Sequence, residues 1–208
     1  MAVQTGARRP LVVGIGGTGR PGSTTERALA LALRGAEEGG ADVEVFGADF
    51  LSGLPLFQPH RPGRCVPALE FLDAIARAHG LIVASPSYHG GVSAMVKNAL
   101  DHLEDLREDP RPYLDGRAVG CVVTSAGCQA GGVTLSALRS IVHALRGWPT
   151  PLGATVNTEG PLPGAGDRRP RADAVDGYAA QLRTVGHQVS EFARVFGAAL
   201  PTRAGAFL

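Results

Sequence analysis

The sequence predicts a three-layer α/β sandwich, a parallel sheet with helices on both faces, and three observations lead to it. Short apolar, β-rich runs alternate with longer amphipathic ones along the chain. Several of the short runs end in turns rich in glycine and small residues. At 208 residues, with 44% hydrophobic and 19% charged side chains, the chain has the size and apolar content of a single globular domain. Strands that alternate with helices form parallel ladders through right-handed crossovers, which cover both faces of the sheet.

The elements follow in order. Residues 11–15 are the first strand, and 24–38 the first helix, opened by Ser23 with Glu26 three residues on, the pattern of a capping box. Residues 41–46 form the second strand. Residues 52–67, rich in Pro and Arg, read as an irregular surface loop before a helix over 66–79. Residues 81–85 are a buried strand. The next helix, 92–106, has apolar or small residues at 92, 95, 96, 99, 100, 103 and 106, a stripe wider than one sheet face requires. One edge of it is expected on the sheet and the other on a second copy of the chain. A strand at 118–125, a helix at 134–146 and a strand at 153–157 come next. Residues 158–171, with Pro161, Pro163 and Pro170, read as a mobile connection to a last helix at 172–196. Residues 1–208 therefore read as one domain, without internal repeats.

Composition narrows the function. The formal charge of +1 offers no clustered basic excess for nucleic acid. No apolar run approaches the ~18 residues of a membrane span. Arg8-Arg9 precede an apolar run that Gly14, Gly16 and Gly17 cut short of a signal-peptide core. Cys65, Cys121 and Cys128 are odd in number and lack C-x-x-C spacing, so neither a disulfide framework nor a metal site is expected. A cytoplasmic location is the simplest expectation. Lys97 is the only lysine, and Lys97-Asn98 is compatible with an ordinary surface pair.

Three strand-end loops carry the chemistry. The first contains G-x-G-x-x-G at Gly14, Gly16 and Gly19, but Pro21 and Gly22 delay the helix that a dinucleotide fingerprint would enter directly. Ser23-Thr24-Thr25 then open the helix. Backbone N–H groups, hydroxyls and Arg20 at a helix N-terminus suit one terminal phosphate, and so a mononucleotide. Capping alone accounts for Ser23 and Glu26, but leaves Thr18, Arg20 and Thr25 unexplained. The second loop is Pro86-Ser87-Tyr88-His89-Gly90-Gly91, whose turn offers successive backbone N–H groups beside an aromatic ring. Taken alone, Tyr88 reads equally as a core aromatic and His89 as a surface turn residue. The third is Ser125-Ala126-Gly127-Cys128, where glycine permits close approach of backbone to ligand. Cys128 itself is compatible with an inert small residue or a redox thiol.

The stretch from Pro86 to Asp101 closely resembles the P-x-Y-[NH]-G-x(5)-[LV]-K-N-A-[LI]-D segment of the NAD(P)H-dependent FMN reductase family. The first loop is similar to that family's G-S-x-R-x-x-S-x-[NT] pattern, with Thr18 in place of Ser, and the likeness runs from about Val12 to Asn157. It departs at Ser87, where many relatives carry Glu, and at His89, where Asn is commoner. The resemblance implies a flavodoxin-like sandwich with a five-stranded parallel sheet of order 2-1-3-4-5. It implies that Thr18, Arg20, Ser23, Thr24 and Thr25 hold the FMN phosphate, that Pro86, Ser87, Tyr88, His89 and Gly90 hold the ring, and that Ser125, Ala126 and Gly127 lie beneath its pyrimidine edge. Hydride would pass from NAD(P)H to FMN and on to a second acceptor, with no conventional catalytic side chain, because the cofactor carries the chemistry. A homodimer or homotetramer is implied as well. Quinone, azo or nitro reductases would use the same site. An electron carrier of flavodoxin type would prefer an acidic surface, and a dinucleotide dehydrogenase would need an acid near Asp49, a poor fit.

Overall fold

The computed structural model describes residues 9–61, 63–159 and 175–197. Its elements are β1 (Leu11–Gly16), α1 (Thr24–Glu38), β2 (Asp42–Phe46), α2 (Ala48–Gly53), α3 (Val66–Arg77), β3 (Gly80–Tyr88), β4 (Gly91–Val92), α4 (Ala94–Asp101), β5 (Ala118–Ser125), α5 (Cys128–Ala144), β6 (Trp148–Pro149), β7 (Ala154–Asn157) and α6 (Ala179–Phe196). The connection expected over 158–171 lies, beyond Glu159, outside the described residues, as do the first residues of the expected last helix.

The sheet runs β2-β1-β3-β5 with parallel pairing throughout, and β6 and β7 both pair parallel with β5. β6 pairs Trp148 with Ala118, and β7 pairs Ala154 with Val122, so the two are successive pieces of one edge strand. Pro149 and Pro151 account for the interruption, since proline cannot donate to a ladder and is confined to edges. The sheet therefore has seven strands where five were expected. The extra two are this split edge and the short β4, and the order 2-1-3-4-5 describes the main strands.

Side-chain alternation divides the core. Val13, Leu81, Val83, Cys121 and Val123 face α2 to α5, whereas Val12, Ile82, Ala84 and Val122 face α1 and α6. On the second face the helices touch through backbone. A Cβ at Gly35 would collide with the Arg183 backbone, and one at Gly186 with that of Ala32.

Three differences from the expected elements bear on function. Residues 48–53 form a short helix inside what reads as strand end and loop. α5 starts at Cys128, six residues before the expected 134, because Gly131 fits its turn against Ser125 Oγ, where a Cβ would come within 2.7 Å. The helix expected over 92–106 becomes α4 followed by a 3-10 turn, His102–Leu106. Its apolar stripe is taken up within the chain: Val96, Ala99, Leu100, Leu103 and Leu106 are buried, and Val92 and Met95 pack against the same core. α2 touches α4, and α3 touches the 3-10 turn.

Candidate functional site

The carboxyl ends of β1, β3 and β5 lie side by side. Gly16 pairs with Ala84, Pro86 with Thr124, and Ser125 with Asn157 of the edge strand. The loops that follow thus leave from one edge of the sheet, at the point where the strand order reverses.

The first loop is held from beneath. Ser23 takes the extended N-cap conformation, and its hydroxyl accepts from the Glu26 N–H at 3.2 Å. The Glu26 carboxylate accepts from the Gly22 N–H at 2.6 Å and from the Ala48 N–H at 3.3 Å, which ties the loop to the start of α2. Its position in the first turn also suits the helix dipole. Above this strut, Thr18 is half-buried and Arg20 exposed, with the Arg20 N–H donating to Thr18 Oγ1 at 3.3 Å. Thr24 is half-buried at the first helical position. Thr25 is only 1% exposed, and its hydroxyl lies 2.7 Å from that of Thr124 on β5. Thr25 Oγ1 therefore joins the first loop to β5.

The second loop is a two-residue hairpin. Ser87 pairs with Val92 and Tyr88 with Gly91, while His89 (φ 53°) and Gly90 (φ 77°) make the turn. Two positive φ angles mark the primed turns that suit the twist of adjoining strands. Histidine, like asparagine, is enriched in this left-handed region, a backbone reason for either residue at 89. Below the turn, Ser85 Oγ donates to the Pro86 carbonyl at 2.7 Å and accepts from the Ser93 N–H at 3.0 Å. Ser87 Oγ donates to the Ala130 carbonyl at 3.2 Å, so in its 2.7 Å contact with Thr134 the threonine is the donor. The hairpin is thereby attached to α5. Tyr88 stays 56% exposed, and a Cβ on Gly90 would meet only Val133, at 3.9 Å.

In the third loop Ser125 Oγ donates to the Gly127 carbonyl at 2.7 Å, and the Gly127 N–H donates to Asn157 Oδ1 at 3.0 Å. Gly127 has φ 117° with open space on its Cβ side, a backbone that a side chain would strain. Ala126 is exposed. Asn157, at the end of β7, also accepts from the Glu159 N–H at 3.1 Å, so one amide orders both the loop and the chain beyond the strand.

The expected site residues are thus brought to one end of the sheet, but in two roles. Arg20, Thr24, Tyr88, His89, Gly90 and Ala126 have accessible surface, whereas the hydroxyls of Ser23, Thr25, Ser87 and Ser125 hold the loops in shape. Thr124, Thr134 and Asn157 complete those bonds without having been singled out in the sequence. Their signal was only their place at a strand end, for Thr124 and Asn157, or on the helix after the third loop, for Thr134. Among the described residues no group of three or more His, Cys, Asp or Glu could hold a metal ion, and no helix is long and apolar enough to cross a membrane.

Residues 10–160 match the sequence profile of a family described as NADPH-dependent FMN reductase. An FMN-dependent NADPH-azoreductase of Staphylococcus saprophyticus is 35% identical over 145 residues, 65% of this chain and 70% of the relative. One from Staphylococcus haemolyticus is 34% identical over 82 residues, 39% of this chain and 40% of that relative's length. Among solved structures, the NADH:FMN oxidoreductase EMOB in its apo form superposes with a TM-score of 0.60 at 20% identity, over 93% of this chain and 91% of that one. A flavodoxin, WrbA-like protein of Agrobacterium tumefaciens gives 0.61 at 17% identity, over 90% and 99%. These likenesses to solved structures are likenesses of fold.

Proposed function

The chain belongs to the NADPH-dependent FMN reductase family, and we propose that it binds FMN at the carboxyl ends of β1, β3 and β5 and uses NAD(P)H to reduce it, passing the electrons to a second acceptor. One observation carries the placement: the capped N-terminus of α1, the His89–Gly90 hairpin and the Gly127 turn converge on one edge of the sheet. The residues present fit the cofactor. Arg20, the Thr18 hydroxyl and the free first-turn N–H groups of α1 form a phosphate site of the kind helix N-termini provide. The backbone of Pro86 to Gly90 meets the ring edge, and Ser125, Ala126 and Gly127 lie along its other side.

FMN, when bound, supplies the redox chemistry by accepting hydride and delivering electrons. The protein's part is position. Glu26 and Ser23 keep the phosphate loop in place, Ser85 and Ser87 keep the hairpin in place, and Asn157 keeps the Gly127 turn in place. No side-chain acid or base is required for the hydride step, and none is assigned. Tyr88 and Val133 are exposed at the hairpin and the helix beside it, where nicotinamide and acceptor would approach. The azoreductase relatives make an aromatic azo compound the acceptor to test first. A homodimer or homotetramer in the cytoplasm completes this reading, and sedimentation at micromolar concentration tests the assembly.

The decisive experiment is anaerobic single-turnover mixing. The protein with FMN bound, mixed with NADPH or NADH, is expected to bleach the flavin absorbance without a partner protein. Bound FMN that neither nucleotide reduces would transfer the assignment to an electron carrier.

A further inference from the structure

Residues 54–57 and Arg64, between α2 and α3, are strapped to α4 and its 3-10 turn by a polar row. Asn98 Oδ1 accepts from the Phe57 N–H at 2.8 Å, and Asn98 Nδ2 donates to the carbonyls of Pro55 (3.1 Å) and Leu54 (3.4 Å). Asp105 takes a two-pronged ion pair from Arg64, whose guanidinium also lies 5.0 Å from the centre of the Phe57 ring. His102, 2% exposed, holds Nε2 at 2.9 Å from the Pro55 carbonyl. A carbonyl can only accept, so Nε2 carries the proton, and in the neutral ring Nδ1 then presents a lone pair. That Nδ1 is buried and has no hydrogen-bond partner.

His102 lines a cavity of about 30 Å³ together with Arg61, Arg64, Cys65 and Ala68. Cys65 is exposed and is the N-cap of α3, an end that no side chain caps and where Pro67 removes one N–H from the first turn. Arg64, the residue before Cys65, is paired with Asp105. The cavity thus combines an exposed thiol, cationic and N–H donors, and one buried ring nitrogen without a partner. Its volume suits one water-sized group.

We propose that Cys65 is a peroxide-sensitive modification site whose sulfenic acid is lodged in this cavity, its O–H donating to His102 Nδ1. The thiolate sulfur attacks one oxygen of hydrogen peroxide, an S–O bond forms and the O–O bond breaks. Hydroxide leaves and takes up a proton as water, so sulfur is oxidised and peroxide reduced. The new oxygen accepts from the arginines and the open end of α3. The His102 hydrogen bond holds the product at the reversible stage. The other cysteines provide internal references. Cys121 is buried, which pushes its thiol up to about 12, and Cys128 is exposed, its sulfur accepting from Asn157 Nδ2 at 3.5 Å.

The test treats the purified full chain with hydrogen peroxide in the presence of dimedone, which traps sulfenic acid, and follows each cysteine by peptide mass spectrometry. Cys65 is expected to be trapped about tenfold faster than Cys128, and dithiothreitol to restore its thiol when the trap is omitted. His102→Gln keeps a donor for the Pro55 carbonyl but lacks the Nδ1 acceptor. It is expected to let Cys65 pass several-fold more readily to the sulfinic acid. Trapping of Cys65 no faster than Cys128 overturns the site, and that ratio needs only the unmodified protein. An unchanged sulfinic fraction in His102→Gln overturns the part assigned to His102. Neither outcome depends on flavin binding or turnover.

Discussion

Two arginines at opposite ends of the sheet show how this fold separates stability from binding. Arg20, just past the carboxyl end of β1, is exposed at the tip of its loop. Arg117, just before the amino end of β5, is 0% exposed and donates only to backbone. Its Nε reaches the Ala78 carbonyl at 3.0 Å, its Nη2 that of Ala76 at 2.9 Å, and its Nη1 those of Tyr113 and Asp115 at 3.2 and 3.4 Å. It satisfies carbonyls at the end of α3 that have no partner within the helix, where a cation also suits the dipole. Burial, reinforced by the adjacent Arg111, pushes Arg117 down to about 9. At the amino end, then, the buried Arg117 and Arg111 donate to the chain's own carbonyls, whereas Arg20 at the carboxyl end faces outward. Residue type alone does not distinguish the two arginines; the direction of the sheet does.

The largest effect is expected where the arginine is buried. Arg117→Ala should lower the unfolding free energy by about 3 to 5 kcal/mol, because it removes packing and takes its N–H groups from the carbonyls of Ala76, Tyr113 and Asp115, and leaves Ala78 only Arg111. Arg117→Met should lose less, since an apolar side chain of similar length keeps the packing and removes the burial of charge. Denaturant titration measures both. FMN affinity of the folded protein should be unchanged, and its loss would break the separation of the two ends.

At the exposed arginine the expectation reverses. Arg20→Ala should leave the melting temperature unchanged and weaken FMN binding by about one to two orders of magnitude, the worth of a charge-assisted hydrogen bond of roughly 1.5 to 3 kcal/mol. Riboflavin, which lacks the phosphate, serves as the control and should bind as before. Equal losses for both flavins would make Arg20 a structural residue and leave the phosphate site without its cation.

The sequence made the carboxyl end legible because its signals are local. Apolar runs, a capping box at Ser23 and Glu26, and paired turn residues at His89 and Gly90 all act within a few positions of one another. The amino end and the strap over α4 were not legible. Asn98, His102 and Asp105 sit on the polar side of an amphipathic stripe, where solvent is the default neighbour. Only the tertiary course of residues 54–57 and the reach of Arg64 turn that side inward. Arg117 was equally silent, since nothing in its vicinity in the chain announces the end of α3. The wide stripe has intramolecular neighbours that its sequence does not announce: α2 touches α4, α3 touches the 3-10 turn, and Met95 and Val92 pack on the core while staying partly exposed.

The smallest expected effect tests the seam between loop and sheet. Thr25 was read as a phosphate ligand, yet its hydroxyl is buried against Thr124. If its part is to fasten α1 to β5, then Thr25→Val and Thr124→Val should each cost about 1 kcal/mol of stability, because each leaves one buried hydroxyl unpaired. The double variant removes both groups at once and should be less destabilised than the sum of the singles, by a coupling of about 0.5 to 1.5 kcal/mol. Thr25→Val should then reduce FMN affinity less than Arg20→Ala does. A direct phosphate contact predicts the contrary pattern, additive stabilities and a selective loss of FMN over riboflavin. That pattern would extend the ligand-facing surface inward from the loop tip to the first turn of α1 and erase the division of labour drawn between Arg20 and the hydroxyls beneath it.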